Sequence, residues 1–145
     1  MKSKTVATWL AVLAGTFGAH RFYLHGARDV WAWLHPWPTL AGIAGVVRMN
    51  TLGQDDRAAW VLAPVLGLMI TAAMLAAIVY GLEPDERWNA RFNPSASPPP
   101  VTRWGPILGV IVALMVGAAA LMATLAFSGQ RFFEWQVDEA RKISQ

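Results

Sequence analysis

Two long apolar segments without a charged side chain constrain the fold of this chain more than any other feature. Segments 59–82 and 105–127 contain no ionisable side chain except Tyr80. A helix needs about 20 apolar residues to cross the roughly 30 Å hydrocarbon core of a bilayer, and both segments exceed that length. The sequence therefore predicts at least two membrane-spanning helices.

The composition points to lipid as the solvent for most of the chain. Hydrophobic residues make up 55% and charged residues only 14%, which leaves too little polar surface to coat a soluble domain. The net charge of +3 comes without any Lys/Arg cluster, so we expect weak attraction to anionic lipid and no nucleic-acid partner. Cysteine is absent, which excludes disulfides, thiolate metal sites and thiol nucleophiles.

Two further segments, 5–24 and 30–47, come close to spanning length. In the first, Lys2 and Lys4 precede an apolar run that ends in small residues, which is also the pattern of a secretory signal peptide. A second apolar segment follows at once, however, as in a membrane hairpin. The second contains WAWLHPWP, whose prolines disfavour a continuous helix. It is either a kinked span or an interfacial turn followed by a short or re-entrant helix.

These segments predict an all-α integral membrane protein, a four-helix transmembrane bundle made of two hairpins. A Pro/Ser-rich polar linker separates the hairpins, and the tail after Phe127 predicts a short amphipathic helix at the membrane surface, with a disordered tail as the alternative. The predicted units are 1–50, 51–82, 83–104 and 105–145.

Four spans would put both termini on one side of the membrane. That side would carry seven of the 12 Lys and Arg residues, so we expect a bacterial inner-membrane protein with cytoplasmic termini.

The segment Gly15 to Leu24, GTFGAHRFYL, is the most distinctive motif. Ala7, Ala11 and Gly15 recur every four residues and predict a flank for close helix packing. We expect His20 and Arg21 to lie where the helix leaves the hydrocarbon, with an aromatic collar formed by Phe22 and Tyr23.

The spacing GxxGxHRFYL resembles the TM2 domain family, over roughly residues 2 to 50. This resemblance implies a pair of transmembrane helices joined by a short turn, and it brings no enzymatic reaction. The motif residues are either a structural anchor or a contact site for a lipid or a partner, and they are Gly15, Gly18, His20, Arg21, Phe22, Tyr23 and His25.

His35 is the one ionisable group expected inside span two, where it either responds to pH or caps the break made by the prolines. The spacing of the three histidines does not match a metal site, and we expect no metal and no cofactor. No GxSxG or HExxH motif is present, so the sequence does not predict an enzyme.

The fourth span has small residues at four-residue intervals: Gly105, Gly109, Ala113 and Gly117. This ladder predicts close helix packing, either inside the bundle or between two protomers.

Together these features favour a non-catalytic structural or partner-binding membrane module, which contacts lipid and a membrane protein partner or a second copy. The alternative is a small transport or lipid-handling component whose HRFY turn contacts a headgroup or substrate.

Overall fold

The computed structural model describes residues 1–144, in which every regular element is helical. The helices are α1 (Lys4–Ala14), α2 (Ala19–His25), α3 (Val30–Leu34), α4 (Pro36–Leu52), α5 (Arg57–Leu82), α6 (Asp85–Phe92) and α7 (Gly105–Ile143). A 3₁₀ turn, Gly15–Phe17, joins α1 to α2.

Helices α5 and α7 are the two that are long and apolar enough to cross a membrane. They run antiparallel and close together, because glycines remove side chains at the contact. A Cβ atom on Gly67 would overlap Oγ1 of Thr124, and one on Gly117 would lie 2.8 Å from Cβ of Met74. Helix α4 packs on α5 in the same way, where Gly42 approaches the backbone of Leu66. Small residues therefore set the spacing of the bundle.

The prediction of an uninterrupted span over 5–24 is wrong. Helix α1 ends at Ala14, and α2 runs back beside it, so that the Tyr23 hydroxyl accepts a hydrogen bond from the Ser3 backbone N–H at 2.7 Å. The turn between them packs on Ala73 of α5. Ala73 lies eight residues before Gly81, which is near the end of α5 where the hairpin begins. At 1.5 Å per helical residue, the turn is therefore about 12 Å along α5 from that end. Residues 4–25 therefore form a helical hairpin that begins and ends at the same end of α5.

Helices α3 and α4 follow each other with one intervening residue, His35. Pro36 occupies the first position of α4, where a missing N–H costs little. The structure thus divides segment 30–47 into two helices at His35, and α4 continues to Leu52.

The two ends of the chain lie at opposite ends of α5. The Lys2 N–H donates to Oδ1 of Asn93, in the connection that follows the end of α5. Arg131 donates to Oε1 of Gln54, just before the start of α5. We call these the N-terminal end and the C-terminal end of the bundle. The four-span prediction placed both termini at one end of the bundle, whereas in the structure they lie at opposite ends, because the first segment turns back at Gly18.

The sequence beyond Phe127 does not form a separate surface helix. It continues α7 without a break to Ile143, which makes α7 39 residues long, or about 58 Å. The polar connection 83–104 also differs from a plain linker, since it contains α6, whose Trp88 is 2% exposed.

Gly18 allows a direct test of the hairpin turn. Its φ is +78°, and a Cβ would lie 2.7 Å from the Ala32 carbonyl oxygen, so Gly18→Ala adds a steric clash to left-handed strain. Gly129 lies inside α7 with open space around it and no positive φ, so Gly129→Ala meets neither the clash nor the strain. We expect Gly18→Ala to lower the thermal unfolding temperature in detergent clearly more than Gly129→Ala. Equal unfolding temperatures for the two variants would contradict a tightly packed left-handed turn at Gly18.

Candidate functional site

The two glycines of the motif form the tip of the hairpin. Gly15 lies against Ala73, where a Cβ would be 2.7 Å from the Ala73 Cβ. Gly18 closes the turn: its N–H donates to the Gly15 carbonyl at 2.9 Å, and its carbonyl accepts from the Phe22 N–H at 3.1 Å. The Thr39 hydroxyl donates to the Thr16 carbonyl at 2.6 Å. The backbone groups of the turn therefore find hydrogen-bond partners within the protein.

His20 lies inside the hairpin and is 3% exposed. Its ring packs against His35 at 5.6 Å and against Tyr80 at 5.7 Å between centroids. Nδ1 of His20 is buried without a hydrogen-bond partner among the described residues. The motif histidine is thus placed as a core side chain between α2, α5 and the α3–α4 junction.

Arg21 and Phe22 tie α2 to the start of α3. Nε of Arg21 donates to Oδ2 of Asp29 at 2.8 Å, and Asp29 caps α3 by accepting from the Trp31 N–H. The hydrogen bond from Arg21 holds the pKa of Asp29 below its ordinary value. Phe22 packs edge-on against Trp33 at 5.2 Å between ring centroids. The charge of Arg21 is therefore neutralised inside the chain.

Tyr23 holds the N-terminal segment against the hairpin. Its hydroxyl accepts from the Ser3 N–H, and its backbone carbonyl accepts from Nζ of Lys2. The same ammonium lies 5.1 Å from the centroid of the Tyr23 ring, within the range of a cation–π contact.

The other two histidines, His25 and His35, have different surroundings from each other. His25 is exposed and packs against Phe92 of α6 at 6.1 Å between centroids. Nδ1 of His35 lies 2.6 Å from the Trp31 carbonyl oxygen, so its ring spans the break between α3 and α4. Among residues 1–144, no group of three or more His, Cys, Asp or Glu is arranged to hold a metal ion.

Helix α6 supplies site residues that the sequence reasoning missed. The Lys2 carbonyl accepts from Nε1 of Trp88 at 2.9 Å and from Nδ2 of Asn93 at 3.0 Å. The Trp88 ring also joins Ala7 and Leu24 in one apolar cluster. The available signal was the spacing of Trp88, Asn89, Phe92 and Asn93, which puts large or hydrogen-bonding side chains on one helical face.

Lys4 and Asp85 form an ion pair that also joins the N-terminal segment to α6. Lys4 is 8% exposed, and its Nζ contacts Oδ1 of Asp85 and donates to the Glu83 carbonyl at 2.9 Å. Burial alone would raise the pKa of Asp85, but hydrogen bonds from Lys4 and Thr102 outweigh it and lower the pKa to about 2.

A second fixed point lies at the C-terminal end. The Arg131 guanidinium lies 5.3 Å from the ring centroids of both Trp60 and Phe127, and it pairs with Glu134 at 2.6 Å. Its side chain is 9% exposed. The sequence reasoning placed this residue in a surface tail and missed its burial.

The small-residue ladder of α7 faces the interior. Gly105 contacts Thr5, Gly109 contacts Thr8, and Gly117 contacts Met74, while Ala113 has no exposed surface. These residues bring α7 against both α1 and α5.

One cavity of about 480 Å³ lies at the N-terminal end, between residues 1–5, α6 and residues 100–103. Its lining includes the buried ammonium of Lys4, which Asp85 already neutralises. No pair of titratable groups is seen to converge here in a way that would support acid–base or nucleophilic chemistry.

Comparison with known families supports the resemblance read from the motif. Residues 1–49, about a third of the chain, match the family model of the TM2 domain. This confirms the predicted resemblance, and the matched residues form α1 to α3 and most of α4. No match was found among curated proteins or among solved structures. The TM2 match and the two apolar helices together indicate a membrane protein.

The Lys4–Asp85 pair predicts a measurable coupling. Asp85→Asn leaves a buried ammonium without its counter-ion, so we expect a loss of about 1–3 kcal/mol in unfolding free energy. Lys4→Met combined with Asp85→Asn should lose less than the two single variants summed.

The same pair predicts an acid limb in stability. Because the folded-state pKa of Asp85 lies below its ordinary 3.8, its contribution is complete above pH 3.8 and is lost as pH falls toward 2. The thermal unfolding temperature in detergent should fall less steeply with decreasing pH in Asp85→Asn than in the wild type. Equal slopes in both proteins would contradict the pairing.

Proposed function

We propose that this chain is a non-catalytic membrane module in which the TM2 motif builds a self-contained hairpin. The observation that carries the proposal is the internal use of the motif's polar groups. Arg21 pairs with Asp29, the Tyr23 hydroxyl accepts from Ser3, and His20 is buried. Arg21 and Tyr23 are only partly buried, but a headgroup or substrate would have to displace the partners that they already have, Asp29 and Ser3.

We further propose a membrane placement with three crossings and one re-entrant hairpin. The crossings are α3 with α4, then α5, then α7, while α1 and α2 enter and leave at the N-terminal end. This end carries seven of the 12 Lys and Arg residues, which favours the cytoplasmic side of a bacterial inner membrane. The C-terminus would then lie on the opposite side.

The outward faces of the crossings supply the surface for neighbours in the membrane. Trp31 and Trp37 are 65% and 71% exposed on α3 and α4, and Leu114 and Met122 are exposed on α7. Such apolar surface fits acyl chains, a membrane protein partner or a second copy of the chain. We propose lateral contact of this kind as the role of the module.

The absence of native cysteine allows a direct test of the placement. Single cysteines at Ser3, Asp55, Ser95 and Ser144 should fall into two groups when an impermeant maleimide is applied to intact cells. We expect Ser3→Cys and Ser95→Cys to share one side, and Asp55→Cys and Ser144→Cys to share the other. Labelling after the cells are opened is the control for reactivity. If Ser3→Cys and Asp55→Cys are labelled from the same side of the membrane, the hairpin crosses the membrane and our placement is wrong.

The Arg21–Asp29 pair tests whether the motif is structural. Arg21→Gln should lower membrane abundance and unfolding temperature together, because the cap residue of α3 loses its partner. The exchange Arg21→Asp with Asp29→Arg restores opposite charges and should recover part of both. A stable, abundant Arg21→Gln protein would instead show that Arg21 is held for a ligand or partner.

A further inference from the structure

The two ends of the bundle differ in charge. The N-terminal end, residues 1–29 and 83–104, has seven Lys or Arg against four Asp or Glu, a net charge of +3. The C-terminal end, residues 48–57 and 131–144, has five of each and a net charge of zero. All of the excess positive charge therefore lies at the end that contains the hairpin entrance and α6.

Ion pairs sharpen this difference. At the C-terminal end, Arg48 pairs with Asp56 at 2.8 Å, and Arg131 and Lys142 pair with Glu134 and Glu139. At the N-terminal end, the pairs formed by Lys4 and Arg21 use two of the four carboxylates. Four exposed arginines there form no ion pair within residues 1–144, and we call them the arginine rim: Arg28, Arg87, Arg91 and Arg103.

The arginine rim lies at the boundary between apolar and polar surface. Leu82, the last residue of α5, is 63% exposed, and α6 begins three residues later. Arg103 is followed by Trp104, 73% exposed, and then by the apolar start of α7. An exposed Trp beside Arg at the end of an apolar helix is typical of the headgroup level of a bilayer.

The hydrogen bond between Trp88 and Lys2 holds α6 against the N-terminal segment, and α6 carries two of these arginines. Trp88, on the inner face, is 2% exposed and is hydrogen-bonded to Lys2, while Arg87 and Arg91 are exposed and four residues apart. Residues four apart on a helix lie on one face. Arg28 lies on the turn before α3, and Arg103 just before α7, so the rim extends over three separate segments of the chain.

We propose that the arginine rim binds the headgroups of anionic phospholipids. Guanidinium groups bind phosphate oxygens through paired hydrogen bonds. Distribution over three segments, next to exposed apolar helix surface, fits several headgroups of one leaflet and not a single enclosed anion. The assignment rests on the membrane placement proposed above and concerns residues outside the HRFY motif, since Arg21 is already paired.

The test compares lipid retention by variants with charge removed from either end. The protein is released from nanodiscs of equal parts phosphatidylglycerol and phosphatidylcholine, and native mass spectrometry counts the bound lipids. The rim variants are Arg87→Gln with Arg91→Gln, and Arg28→Gln with Arg103→Gln. The matched control is Arg57→Gln with Arg141→Gln, which removes two exposed arginines from the C-terminal end.

We expect wild type and control to retain phosphatidylglycerol preferentially, and each rim pair to reduce that preference. At low ionic strength the loss should be about fivefold per arginine, and it should shrink as salt is added. If one rim pair does not fold, as judged by thermal unfolding in detergent, the other decides the result. An equal loss in the control, or no preference in wild type, would overturn the proposal.

Inorganic phosphate separates a headgroup from a soluble anion. If phosphate displaces phosphatidylglycerol at equal concentration, the rim binds a soluble anion and the lipid assignment is wrong. Continued retention supports the lipid. Failure of either arm leaves the cysteine-labelling result unchanged, so it can be told apart from failure of the proposed membrane placement.

Discussion

The left-handed turn at Gly18 is the constraint on which the rest of the structure depends. It sends α2 back along α1 instead of onward in the same direction. The turn is held by steric contact of Gly15 with Ala73 and by the hydrogen bond from the Thr39 hydroxyl to the Thr16 carbonyl. Because α2 turns back, Tyr23 returns to Ser3, and the N-terminal segment becomes part of the fold.

The segment that matches the TM2 family model, residues 1–49, is held in place partly by residues outside it. Its first residues are held by α6, which lies far outside the matched range 1–49. Ala7 and Leu24, from the two arms of the hairpin, share one apolar cluster with Trp88. The connection between α5 and α7 thus completes the hairpin, and the part of the chain without a family match contributes to the stability of the part that has one.

Sequence reasoning predicted the helical class, the two long apolar helices and the TM2 resemblance, because each depends on local composition or on a fixed motif. It did not predict the direction of α2. The spacing of Ala7, Ala11 and Gly15 suits an unbroken packing face, whereas Gly18 in the left-handed region reverses the chain after α1 has ended at Ala14. The burial of Arg131 was missed for a related reason. Its partners, Trp60 and Gln54, are more than 70 residues away, and no local pattern indicates such a contact.

The two rings near Arg131 have a consequence for the last part of α7. A helix packed only through glycine and alanine can rotate about its axis at little cost, since small side chains give few directional contacts. A guanidinium that contacts the Trp60 and Phe127 rings and donates to Gln54 opposes that rotation. The contacts of Arg131 therefore define the rotational setting of α7 at the C-terminal end, and the residues from Phe132 to Ile143 continue the same helix from this point.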